Sequence, residues 1–164
     1  MPIGILSDTH DELARTRRAV ELLKEAGAEA LVHCGDLTSP SIISLCSVLP
    51  FWFVLGNHDA DSVPVIQQAA EETGATCLDW AGEILLEDRR IWVAHGHMSY
   101  DIRRALNARP DYLFSGHSHI VSDTRVGRVS RINPGALVDA DRYTVALLNL
   151  ITDELEILTL ANSS

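Results

Sequence analysis

Four imidazoles, two carboxylates and one carboxamide recur in this chain at spacings that suit metal chemistry: Asp8 and His10, Asp36, Asn57, His95, then His117 and His119. They offer nitrogen and oxygen donors and no thiolate. That mixture suits zinc, manganese, iron, nickel or cobalt rather than a calcium site or an iron–sulfur cluster. Seven donors exceed what one such ion takes, whereas two ions sharing a carboxylate use them all, and Asp36, alone in its loop, is the natural bridge. In Asp8-Thr9-His10 and His117-Ser118-His119 the donors stand at i and i+2, which in extended backbone aims both side chains to one side. Gly35, Gly56, Gly96 and Gly116 beside the donors let the backbone turn tightly or approach an ion closely. An isolated Asp-x-His or Gly-Asp reads more readily as a loop or capping pair. The weight lies in the coincidence of five such clusters in one small acidic chain.

Each cluster follows a short apolar run, so each is delivered by a strand. Residues 2–7 lead into Asp8, 30–35 into Asp36, 51–55 through Gly56 into Asn57, His58 and Asp59, 91–94 into His95, and 112–116 into His117. The strand ends on one edge of a layered α/β protein line a common crevice, where residues distant in sequence meet. Between them, helical periodicity covers 12–26 up to Gly27, Thr38-Ser39-Pro40 opens a short helix through Cys46, and 62–73 carries a third ending at Gly74. This alternation predicts a mainly parallel sheet for the first half. Beyond residue 76, hairpins are expected at 82–86 with 90–94, 121–126 with 129–132, and 143–150 with 154–160, and a helix at 99–108. The second half therefore reads as largely antiparallel. The expected fold class is α/β (α+β): two packed mixed β-sheets in a sandwich flanked by helices, as one domain spanning 1–164.

Bulk properties agree. With 164 residues, 46% hydrophobic and 22% charged, the chain can bury roughly 70% of its unfolded surface without staples. Its start lacks a basic leader with a long apolar segment, and no run reaches a membrane span, so a cytoplasmic setting without membrane contact is expected. Cys34, Cys46 and Cys77 lack metal or disulfide spacing and read as core thiols. A net charge of −10 excludes an extended nucleic-acid surface. The basic groups at Arg15, Arg17 and Arg18, at Arg89 and Arg90, and at Arg103 and Arg104 read as solvated surface. Oligomeric state has no signature. His33, inside a strand, reads as a hydrogen-bonded core residue, and His97 as a candidate to line a substrate cleft.

The ordered set SDTH, GDL, GNHD, HGH and GHSH, with a late Asn133-Pro134-Gly135, resembles the calcineurin-like metallophosphoesterase superfamily, in particular its small single-domain YfcE-type branch. Asp11 and Ala136 stand where many members have glycine and serine. The resemblance implies a centre of two divalent ions per chain, manganese first, with nickel, zinc, iron(II) or cobalt as other choices. One ion would take Asp8, His10, Asp36 and His119, the other Asp36, Asn57, His95 and His117. It implies His58 as the catalytic histidine, oriented by Asp59, with Asn57, His58 and His97 facing substrate. The expected function is hydrolysis of small phosphodiesters, or other phosphate-containing substrates, by a metal-bridging hydroxide. The alternative is a non-catalytic docking scaffold on the same fold, as in the small retromer subunit.

Overall fold

The computed structural model describes residues 1–161; the last three positions of the expected 1–164 domain lie outside the described residues. The elements run β1 (Pro2–Leu6), α1 (Leu13–Glu25), β2 (Ala30–His33), α2 (Pro40–Cys46), β3 (Phe51–Phe53), α3 (Val63–Thr73), β4 (Thr76–Cys77), β5 (Ala81–Leu86), β6 (Arg89–Ala94), α4 (Ser99–Asn107), β7 (Tyr112–Phe114), β8 (Ser122–Val126), β9 (Val129–Asn133), β10 (Thr144–Asn149) and β11 (Leu155–Thr159). They form a six-stranded sheet ordered β11-β10-β1-β2-β3-β4 and a five-stranded sheet ordered β5-β6-β7-β9-β8.

Strand alternation builds the layers. Ile3, Ile5, Val32 and Trp52 from the first sheet meet Ile91, Val93, Tyr112 and Phe114 from the second in one apolar seam. The residues between them, Leu31, Phe51 and Phe53, point the other way, onto the buried faces of α1, α2 and α3. Across the second sheet, Leu113 and Trp92 pack on Ala105, Ile102 and Leu106 of α4. The order of layers is therefore helices, sheet, sheet, helix, as period-2 strands between amphipathic helices require. Helix α2 begins where Ser39 accepts the Ser41 N–H at 3.1 Å and Pro40 sets the first turn, and α3 ends at Gly74 with φ 79°. Among the described residues no helix is long and apolar enough to cross a membrane.

The pairing of the second half departs from a plain run of hairpins at one point. The three expected hairpins form, β5 with β6, β8 with β9 and β10 with β11, but β6, β7 and β9 pair in parallel at the centre of the second sheet, with β5 and β8 antiparallel at its edges. Helix α4 is the reason, since it returns the chain to the starting edge of the sheet before β7 begins. The third hairpin, β10 with β11, joins the first sheet beside β1. Both sheets thus have parallel centres, β1-β2-β3 and β6-β7-β9, and the polar clusters follow the carboxyl ends of these strands.

Candidate metal centre

Loops leaving neighbouring strands are laced by backbone hydrogen bonds: Asp8 N–H to Gly35 O at 3.0 Å, His10 N–H to Asp36 O at 2.9 Å, and Gly116 N–H to His95 O at 2.9 Å. The donor pairs do not converge by extended backbone. Asp8, His10, Asp36, His117 and His119 have φ of 51°, 43°, 62°, 72° and 62°. Such values are uncommon outside glycine, although Asp and His tolerate them best, and each costs of order 1–3 kcal/mol unless its surroundings impose it. Sharp local turns, rather than alternation along a strand, aim the side chains.

One oxygen of each aspartate is held and the other is presented. Asp8 Oδ2 accepts from Ser7 Oγ at 2.7 Å and from the His117 N–H at 3.1 Å, while Oδ1 lies 3.2 Å from His119 Nε2 and 3.8 Å from His95 Nε2. Asp36 Oδ1 accepts the His58 N–H at 2.9 Å, while Oδ2 lies 3.3 Å from His95 Nε2 and 3.7 Å from His10 Nε2. His95 donates Nδ1–H to Cys34 O at 2.8 Å, which leaves Nε2 facing the two carboxylates. Close approach is required here: a Cβ on Gly116 would overlap Ser7 Oγ, and one on Gly56 would overlap Asp36 Oδ1.

Asp8 Oδ1, His10 Nε2 and His95 Nε2 are buried and make no hydrogen bond. Orphaned polar atoms at full burial are costly and call for a partner. Donors about 2.1 Å from one ion stand roughly 3.0–3.4 Å apart by simple coordination geometry, close to the spacings above. Three groups of donor atoms within 4.8 Å of one another result: Asp8, His10 and His119; His10, Asp36 and His58; Asp8, Asp36 and His95. The donor set therefore fits divalent metal. His117 stands beside these groups, its ring 5.1 Å from that of His95, and Asn57 is exposed where a 3₁₀ turn, Asn57–Ser62, begins. His58 is exposed, its ring 4.9 Å from that of His10.

Electrostatics follow from this packing. Burial alone would raise the Asp36 carboxyl, but the close approach and charge of His95 and the backbone N–H of His58 outweigh it and hold it well below the usual range. Burial lowers His95, yet the nearness of Asp36 Oδ2 and the charges of Asp8 and Asp36 leave it raised. His97 is lowered by burial and by His95 and His117; its Nδ1 is buried without a hydrogen bond.

Asp59 has a different task from orienting the His58 ring. Its Oδ2 accepts N–H groups of Asp36 at 2.9 Å, Leu37 at 3.3 Å and Gly56 at 2.8 Å, and its Oδ1 accepts that of Thr38 at 2.7 Å. It ties the loop carrying Asp36 to the loop carrying Asn57 and His58. Residues with no role of their own in the sequence reading also support the site: Ser7, Asn133 and Trp80. Asn133 Nδ2 donates to Gly116 O at 3.1 Å and Ser118 Oγ at 3.0 Å, bracing the loop of His117 and His119. Trp80 is half-exposed, its ring 6.0 Å from that of His97. The motifs SDTH and Asn133-Pro134-Gly135 contain two of these residues but do not show their hydrogen-bonding roles, and a lone tryptophan carries no spacing signal.

His33 is a core residue, as expected. Its Nδ1 accepts the Gly35 N–H at 3.0 Å and its Nε2 lies 3.0 Å from Thr9 Oγ1, so the ring is neutral with Nε2 protonated. Burial, reinforced by the charge of His95, lowers it from 6.5 to about 3. Its contribution to stability is complete above pH 6.5 and is lost as pH falls towards 3, because the unfolded chain takes a proton that the folded one refuses. Urea unfolding at pH 7 and pH 5 is expected to show the wild type losing about 2 kcal/mol more than His33→Gln. Equal losses would mean that the ring is protonated without penalty.

Comparison with known proteins agrees with this geometry. Residues 1–153 match the family model for the calcineurin-like phosphoesterase superfamily domain. The chain is 29% identical over 138 residues to phosphodiesterase MJ0936 of Methanocaldococcus jannaschii, covering 82% of this chain and 83% of that protein. It is 28% identical over 156 residues to phosphodiesterase YfcE of Escherichia coli K12, covering 84% and 79%. A solved structure described as a novel archaeal phosphodiesterase superposes with a TM-score of 0.88 at 26% identity, over 98% of this chain and 100% of that one.

Proposed function

Because the chain belongs to the calcineurin-like phosphoesterase superfamily, we propose that it is a phosphodiesterase acting on small phosphodiesters, with two divalent ions, manganese first, held by Asp8, His10, Asp36, Asn57, His95, His117 and His119. What supports the reading is the set of buried, unpartnered Asp8 Oδ1, His10 Nε2 and His95 Nε2, aimed at one another across the seam between the sheets. Held there, such ions supply acidified water as nucleophile and positive charge for the phosphoryl oxygens.

The residues divide the remaining work. Asp8 and Asp36 each fix one oxygen by protein hydrogen bonds and present the other, so the charge of the site is preorganised. Exposed His58, anchored through its own N–H to Asp36, is the group placed to protonate the leaving oxygen. His97 and Trp80 border the site near His95 and His117 and offer an edge for the organic part of the ester. A second open space of about 740 Å³ lies beside His119, lined by Ile120, Val121, Ile157 and Arg142. Together they suit a small, partly apolar ester better than a polymer.

Removing His58 as His58→Ala is expected to leave bound metal unchanged and lower kcat about 10²–10⁴-fold, the usual range for general acid help. Full turnover with metal content verified would remove His58 from the mechanism. The reading as a whole is tested by stripping metal and assaying a chromogenic aryl phosphodiester beside the matching monoester, before and after manganese is returned. Diester turnover only with metal is the expected result; turnover unaffected by chelation would exclude it. A docking scaffold, the alternative, has no need of a preorganised donor set or of a histidine exposed beside it.

A further inference from the structure

The arginines of this acidic chain are not evenly spread. Arg89, Arg109, Arg125 and Arg128 line one cavity of about 520 Å³ with Tyr112, Ser130 and the carboxylates of Asp111 and Asp153. It opens at the edge of the second sheet where β6, β7 and β9 begin, whereas the candidate metal centre lies where they end. Along the six residues of β6 that is a separation of roughly 15–20 Å.

Both carboxylates are already engaged. Asp153 Oδ2 pairs with Arg89 Nη2 at 3.1 Å and its Oδ1 accepts from Tyr112 Oη, while Asp111 Oδ2 accepts the Arg90 N–H at 2.8 Å. Two of the four guanidinium groups are not. Among the described residues the side chains of Arg109 and Arg128 have neither hydrogen-bond nor ion-pair partner, and Arg125 senses Asp153 only through charge. Their backbone is held in place nonetheless. Arg90 Nη1 donates to Ala108 O at 3.0 Å, Asp111 N–H donates to Arg90 O at 2.9 Å, and Arg109 itself has φ 50°. Gly127, with φ 63°, turns the β8–β9 hairpin that carries Arg125 and Arg128 to the same cavity. One arginine thus braces the loop that presents another, beside a salt-bridged floor.

We propose that this cavity binds a compact polyanion carrying two adjacent phosphate groups. Free guanidinium forks match phosphate oxygens two at a time, and four guanidinium groups facing two carboxylates leave positive charge that an anion can join. The volume is that of a small-ligand site, too small for a folded partner. The site is independent of the phosphodiesterase reading, since none of its residues belongs to the metal centre.

The test is titration of the ¹⁵N-labelled full chain, as isolated, with inorganic pyrophosphate and, in parallel, with ADP, following backbone amide shifts. Saturable shifts at Arg109, Asp111, Gly127, Arg128 and Ser130 are expected. Affinity should fall about tenfold in Arg109→Gln and in Arg128→Gln, be weakened by salt, and be unchanged in Arg17→Gln on α1. Tighter binding of ADP would assign part of the cavity to the nucleoside, and equal binding would assign the diphosphate alone. Shifts confined to the loops of Asp8, Asp36, His95 and His117, affinity unaltered in both cavity variants, or no saturation would each overturn the proposal.

Discussion

Asp36→Asn is expected to lose at least about 10³-fold in phosphodiester turnover while keeping its fold. The substitution is nearly isosteric, and the asparagine carbonyl can still accept the His58 N–H that Asp36 Oδ1 accepts at 2.9 Å. Its amide nitrogen then takes the place of Oδ2, which faces His95 Nε2 at 3.3 Å and His10 Nε2 at 3.7 Å. A carboxamide nitrogen carries two hydrogens and no available lone pair, so it repels a cation where the carboxylate attracts one. Because Oδ2 faces both His10 and His95, both proposed ions lose a ligand at once. Metal content per chain, far-ultraviolet circular dichroism and turnover, measured on the same preparation, decide it. Turnover within tenfold of wild type with two ions retained would remove Asp36 from its bridging role.

Asp59→Ala should cost stability on a scale unusual for one side chain, roughly 4 kcal/mol or more. Four backbone N–H groups, of Asp36, Leu37, Thr38 and Gly56, lose their acceptor together, and each buried donor left unpaired costs about 1–3 kcal/mol before solvent relieves part of it. Asp59→Asn is the informative companion. Its carbonyl can take over the three-amide position of Oδ2, while its nitrogen opposes the Thr38 N–H, so about half the loss is expected. Urea unfolding of both variants gives the comparison, and a loss below about 1 kcal/mol in Asp59→Ala would mean that the two loops are held by something else. Turnover should fall with stability in these variants, because the loop that Asp59 fixes is the one that carries Asp36.

The strands, helices and converging polar ends were legible because their signals are local. Apolar runs such as Phe51–Phe53 end in glycine and polar residues, and the stops at Gly27 and Gly74 are visible in the chain itself. The direction of β7 against β6 was legible too, had α4 been weighed as a crossover rather than as an insertion between hairpins. The remaining differences lie in backbone conformation. Nothing in the types Asp8, His10, His117 and His119 states that φ is positive there, so alternation along extended backbone was the natural reading. Asp59 was legible as important but not in its role, since adjacency to His58 suggests a side-chain partner while the four amides that use it come mostly from a loop over twenty residues away. Trp80 shows the same limit, since its approach to His97 follows from no sequence spacing.

The donors come from both sheets, Asp8, His10 and Asp36 from one and His95, His117 and His119 from the other. The candidate centre is therefore a caliper on the gap between two layers. Anything that widens that gap detunes every donor distance that spans it, including a change at Phe114 or Val32 deep in the seam. An ion held by donors of both sheets would bind only their docked arrangement, and so would stabilise the packing of the two layers as well as the site itself.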